Sequence, residues 1–278
     1  MMVNFEEYVQ KYRLFIIAGI ILLAVGMIAL MGKKEETVPQ QAAKAEDHRG
    51  ITVLNYHKID NTFHSLSVRP EDFEKQMQWL KQHGYHSITP DQLYEFVTNG
   101  VELPDNPVMI TFDDGYIDNY TNAYPIMKKY GFVGTIFVVT SFLEKYPNYL
   151  TWNQARELED NGFCIESHTN THKSMTEASD DQIMEELTTS KAMIKEKLGK
   201  ESGFIAYPTG SYNLHIAQLV KNAGYKAGFT IKYDAVSRGS NVYALERVPI
   251  FHTEDTNRDF LERVLYLPLM NKDGWIKK

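Results

Sequence analysis

The chain has one cysteine in 278 residues, Cys164, so no disulfide can form within it and the fold must stand on its own core. Cys164 sits in the apolar run Phe163-Cys164-Ile165, the setting of a small core residue rather than of a nucleophile. An excess of basic residues is also lacking. Against 29 Lys and Arg stand 36 Asp and Glu, a net charge of −7, which argues against a nucleic-acid binder with its basic stripe. No protein partner is signalled. The composition is not that of a disordered chain either, since 43% of residues are apolar and 12% aromatic, enough for a packed core. An acidic surface suits a neutral or cationic polymer better than a polyanion.

One long apolar run is present. Residues 14–32, LFIIAGIILLAVGMIALMG, are nineteen uncharged positions, which at the helical rise span about 28 Å, close to the hydrocarbon thickness of a bilayer. The run is longer than the apolar part of a secretory signal, and Leu30-Met31-Gly32-Lys33 is a poor cleavage site. The expectation is an uncleaved single-pass anchor preceded by a short cytoplasmic segment, residues 1–13. Charge does not orient it, because Lys11 and Arg13 precede the run and Lys33 and Lys34 follow it. Residues 33–50 are polar, without an apolar period, and read as a flexible tether.

From Ile51 the pattern changes. Strand-like runs at 51–56, 108–112, 135–139, 163–167, 204–207, 227–230 and 245–251 alternate with helical patterns at 70–83, 91–98, 117–130, 152–161, 180–198 and 214–223. Arg69-Pro70 starts the first helix and Gly84 ends it. Such alternation predicts an α/β domain over 51–278 with a parallel sheet, closed as a barrel rather than open.

In a βα barrel the working residues gather at the C-terminal ends of strands. Three segments place chemistry there. Val108-Met109-Ile110-Thr111-Phe112 runs into Asp113-Asp114-Gly115. Alone this reads as a turn, yet adjacent carboxylates after a buried strand are costly unless a cation or a proton resolves their repulsion. Ile165-Glu166-Ser167 leads to His168 and His172, whose spacing lets both imidazoles face one point on a helical or compact turn. Two such histidines are often plain surface residues. With a carboxylate from another strand they make a set that leaves coordination positions open. The third segment, Phe204-Ile205-Ala206-Tyr207-Pro208-Thr209-Gly210, breaks at a Pro-x-Gly loop whose N–H groups can hold an oxyanion, or merely turn the chain.

TFDDG, SHTNTH and YPTG, in this order, resemble the polysaccharide deacetylase family, the NodB-homology domain of carbohydrate esterase family 4. The resemblance covers roughly residues 51–265. Val53-Leu54-Asn55-Tyr56-His57 and AYPTGSYN resemble the branch acting on poly-N-acetylglucosamine. The resemblance implies a distorted (β/α) barrel with a divalent metal, by preference zinc, held by Asp114, His168 and His172. It implies Asp113 as general base toward the attacking water, the Thr209 N–H as oxyanion donor with Tyr207 and Pro208 beside it, and His252, in Ile250-Phe251-His252, as general acid. His57 is a second candidate for the acid or for a groove residue.

Three departures from the family pattern stand out. Ala206 replaces an arginine that orients the base in many relatives, Thr209 replaces an aromatic, and the Asp-x-x-Asp-Trp motif is missing from 227–240. Arg247 is the candidate for the missing guanidinium. The expected activity is metal-dependent N-deacetylation of a cell-surface or biofilm glycan, with the domain outside the cell membrane. The alternatives are peptidoglycan or chitin oligomers as substrate, or a tethered glycan-binding protein that has lost catalysis.

Overall fold

The computed structural model describes residues 50–62 and 64–272. The expected anchor at 14–32 and almost all of the tether lie outside the described residues, among which no helix is long and apolar enough to cross a membrane.

Among the described residues, eight parallel strands form one sheet. They are β1 (Thr52–Tyr56), β2 (His86–Ser87), β3 (Pro107–Asp114), β4 (Thr135–Val138), β5 (Cys164–Ser167), β6 (Phe204–Ala206), β7 (Ala227–Phe229) and β8 (Val248–Pro249). The order is β7-β6-β5-β4-β3-β1-β8, with β2 beside the start of β3. β3 is the hub, pairing with β1 over Thr52–Tyr56 and with β4 over its last four residues. From Val108 to Asp114 it is buried throughout, as a strand covered on both faces must be.

The sheet curls into a half-barrel. Leu245 bridges Phe229 next to the end of β7, while Val248, three residues on, pairs with Leu54 of β1. The expected barrel is therefore only stitched shut. β6, β7 and β8 have three, three and two residues, too few for a full ladder on that side.

The helices are α1 (Pro70–Gln82), α2 (Pro90–Asn99), α3 (Tyr124–Tyr130), α4 (Trp152–Asp160), α5 (Asp180–Leu198), α6 (Leu214–Asn222) and α7 (Thr256–Lys272). Thr89, Thr151 and Ser179 each open a helix with a reciprocal capping box to a Gln three residues on, satisfying first-turn N–H groups. The region expected as one helix over 117–130 begins instead with a π turn at Asn119–Ala123. Pro125, just inside α3, has no N–H to continue an i→i−4 ladder across the junction. On the α1, α3 and α4 side, Leu54, Tyr56, Ile110, Phe112 and Ile136 pack against Phe73, Met77, Met127 and Leu158. A second cluster around Val53, Met109, Phe137 and Phe229 fills the inner face of the half-barrel.

Candidate active site

The C-terminal ends of β1, β3, β5, β6 and the 245–249 segment converge on one site. β3 delivers two carboxylates into it. Along a strand, successive side chains take opposite faces, so Asp113 and Asp114 could not share an environment if the strand continued. It stops there: Asp114 has φ 75° and Gly115 φ 80°. A Cβ at Gly115 would lie 3.0 Å from Val138 Cγ1, so the turn needs glycine both for its backbone and for its closeness to β4.

The two acids have different surroundings. Asp113 is almost fully buried and meets Arg247 in a fork, with Nη1 donating to Oδ1 at 2.7 Å and Nη2 to Oδ2 at 2.8 Å. The Asn55 amide donates to Oδ2 at 2.9 Å. Burial pushes the Asp113 carboxyl up, but the Arg247 charge and hydrogen bonds outweigh this and hold it well below the usual carboxylate range. Arg247 is itself fully buried, and its Nε–H donates to Thr230 O at 2.8 Å. Such a pair is tolerable inside a protein only with this density of hydrogen bonds.

Asp114 has no cationic fork. Burial raises it to about 6, with His57 pulling the other way and Asp113 adding repulsion. The Tyr116 hydroxyl bonds to it. Its Oδ1 lies 3.5 Å from His168 Nε2 and 3.4 Å from His172 Nε2. One donor atom from each of the three falls within 4.8 Å of the others. His168 is buried, and burial drives its imidazole down to about 3, so it is neutral at physiological pH. Its Nδ1 donates to Ala206 O at 2.9 Å, which puts the proton on Nδ1 and turns the Nε2 lone pair toward Asp114. Burial lowers His172 as well. Two neutral imidazoles and a carboxylate aimed at one point fit a divalent cation with open positions.

The histidine spacing works through a loop rather than a helix. Thr169 has φ 66° and His172 φ 60°, and Thr209 of the third segment has φ 58°. Of six non-glycine residues with positive φ among the described residues, four are thus Asp114, Thr169, His172 and Thr209. Strain of this kind persists where surrounding contacts over-determine it, and it clusters at functional sites.

The remaining expected residues are placed as follows. Thr209 is exposed in the Pro208–Gly210 turn. Pro208 is buried beneath it. The Tyr207 side chain is fully buried, donates its hydroxyl to Tyr243 O at 2.8 Å and stacks on Tyr212. It braces the loop from below, leaving Thr209 as the exposed residue of the turn. Of the two imidazoles considered for the acid, His57 follows β1 and stands near enough to both aspartates to interact with them electrostatically. Its Nδ1 is buried without a partner among the described residues. His252 follows β8, its N–H donating to Ser65 O.

Asn55 and Tyr116 were not evident as site residues from sequence. The usable signal for Asn55 was a lone amide in the buried run Thr52–Tyr56. Beside the site, Tyr116 stacks on Tyr149 at 4.9 Å, and Phe142 and the exposed Tyr146 continue the aromatic surface.

A parallel half-barrel with paired aspartates after one strand and two histidines after another defines a class, and comparison with known proteins gives its name. The polysaccharide deacetylase family model matches residues 100–228. YxkH of Bacillus subtilis, which carries a polysaccharide deacetylase name, is 34% identical over 222 residues, 80% of this chain and 79% of that protein. The chain belongs to the polysaccharide deacetylase family. It is also similar to the poly-β-1,6-N-acetyl-D-glucosamine N-deacetylase of Staphylococcus aureus, at 28% identity over 87% of this chain and 93% of that one. Among solved structures it resembles the Streptococcus pyogenes deacetylase PplD in complex with acetate, with a TM-score of 0.73 and 31% identity over 77% of this chain and 98% of that one. The span 100–228 includes both aspartates, both histidines and the Thr209 turn. Asn55 and His57 come from β1 and the residue after it, Arg247 and His252 from the segments on either side of β8.

Proposed function

We propose that this polysaccharide deacetylase is metal-dependent and hydrolyses the N-acetyl groups of N-acetylglucosamine residues in a cell-surface or biofilm polymer, from a position outside the membrane. The observation that carries the reading is the meeting of Asp114, His168 and His172 at one point beside an Asp113 whose charge is fixed by Arg247. The three would hold the ion, and zinc suits a donor set of two imidazoles and one carboxylate. When bound, a divalent ion polarises the acetyl carbonyl and acidifies water.

The chain's own residues supply the rest. Asp113 accepts a proton from the attacking water. A carboxylate held so far down is a weak base in bulk terms, so its value lies in fixed orientation and permanent charge more than in basicity. The Thr209 N–H, on a strained turn, donates to the developing oxyanion. A histidine, His252 or His57, returns a proton to the departing amine. The aromatic surface from Tyr116 to Tyr146 offers apolar faces for sugar rings next to the site. Residues 14–32 anchor the chain, with the domain outside.

The test is acetate release from β-1,6-linked poly-N-acetylglucosamine, peptidoglycan and chitin oligomers, before and after chelation and after zinc is restored. The reading expects release from the first polymer above the others, abolished by chelator and recovered with metal. Release indifferent to chelation would sink metal dependence. Binding of all three polymers without acetate release would favour a glycan-binding protein instead.

A further inference from the structure

α5 breaks the rule for an amphipathic helix. Its buried positions are Ile183, Glu186, Leu187, Ser190 and Ile194, one face by their spacing, yet two of the five are polar. A carboxylate and a hydroxyl on a core-facing stripe lower stability unless something requires them. Both reach the loop that carries the two histidines, Ser190 while also meeting the Tyr225 hydroxyl at 2.9 Å. Glu186 Oε2 accepts from Asn170 N–H at 2.9 Å and Thr171 N–H at 2.7 Å, and its Oε1 takes the Thr171 hydroxyl. One helical turn on, Ser190 Oγ lies 2.8 Å from Ser167 Oγ, which accepts from Thr169 N–H at 3.1 Å. The helix thus grips the backbone at 169, 170 and 171, between His168 and His172. Thr169 and His172 are two of the positions held at positive φ.

We infer that Glu186, seconded by Ser190, is a positioning residue for the metal centre, clamping the 168–172 loop in the strained form that aims His172 at Asp114. The inference rests on the metal reading above. His168 needs no such help, because Ala206 O fixes its ring. His172 is the less buried of the two, and the hydrogen bond that its ring makes is to its own backbone rather than to a neighbouring strand. Its aim depends on the loop backbone. Without the clamp, Thr169 and His172 can relax toward ordinary φ values, and His172 swings from the common point while the loop stays in place at its ends.

The experiment is a zinc titration of the metal-free full-length protein in detergent, by competition with a chromophoric chelator, which reads affinity without reference to turnover. Glu186→Ala is expected to weaken zinc about 10–100-fold, the scale of lost outer-shell support. Thr171→Val, which removes only the hydroxyl bond at a half-buried position, should weaken it by a smaller factor and serves if Glu186→Ala does not fold. In a His172→Ala background, Glu186→Ala should add less than about twofold, because the ligand it aims is gone. A general loss of packing would instead weaken binding equally in both backgrounds. Zinc affinity in folded Glu186→Ala and Thr171→Val within twofold of wild type, or equal losses with and without His172, overturns the clamp. A wild-type protein that takes up no zinc overturns the metal reading first and the clamp with it.

Discussion

Asp113 and Asp114 are the same side chain in two environments, and their substitutions should separate. Asp114→Asn keeps the left-handed backbone that Asn tolerates but weakens a charged donor, so metal content and acetate release should fall together. Asp113→Asn leaves the three donors intact, so metal should stay while turnover drops about 10²–10⁴-fold. Elemental analysis beside the rate decides, and the opposite pattern would exchange the two roles. Acidity gives a second expectation. The folded Asp114 carboxyl sits at about 6, above its unfolded value near 4, so the metal-free fold binds that proton more tightly than the unfolded chain. This favours folding at low pH and is lost as pH rises through 6. Relative to its offset at pH 4, metal-free Asp114→Asn should therefore gain about 1–3 kcal/mol over wild type at pH 7. Melting curves at the two pH values check this, and a pH-independent offset would argue against a raised Asp114.

Single elements carry the question of the acid, since His57 follows β1 and His252 follows β8, strands that pair through Leu54 and Val248. If the acid is His252, His252→Ala should cost about 10²–10⁴-fold in rate with metal content unchanged. A small effect there with a crippling one from His57→Ala would assign the role to His57, which stands near both aspartates. At this scale much was legible in the sequence. All seven expected strands exist, because buried parallel strands read as apolar runs, and the motif residues sit at their ends as a βα fold requires. β2, two residues long, was too short to show a period. α7 was hidden by Pro268, which argues against a helix that the chain nonetheless forms. Residues inside a local motif could be placed at strand ends from sequence, and Arg247 was already the candidate guanidinium for Asp113, which it meets in a fork. Asn55 and Glu186 were not singled out, because they reach the site through the pairing of β1 with β3 and the packing of α5, which no short stretch of sequence encodes.

For the whole molecule, the described residues fall within one compact unit by their internal contacts. A fragment beginning near Glu46 should fold, remain soluble and keep its activity on a soluble oligomer. Aggregation under every condition tried would move the boundary. In intact cells, external protease should remove the domain, and protection of a domain that is cleavable after lysis would reverse the proposed topology. The buried fork has a further consequence, in the order of synthesis. Asp113 and Arg247 lie 134 positions apart, so when the ribosome has made the first carboxylate of the site, its counter-charge is still to come. Until residue 247 emerges, β3 can be buried only with an uncompensated charge at its tip, at a cost of about 3–5 kcal/mol. The last strand therefore licenses the first acid. A nascent chain halted before Leu245 should remain open to protease and chaperone, and one extended past Pro249 should close.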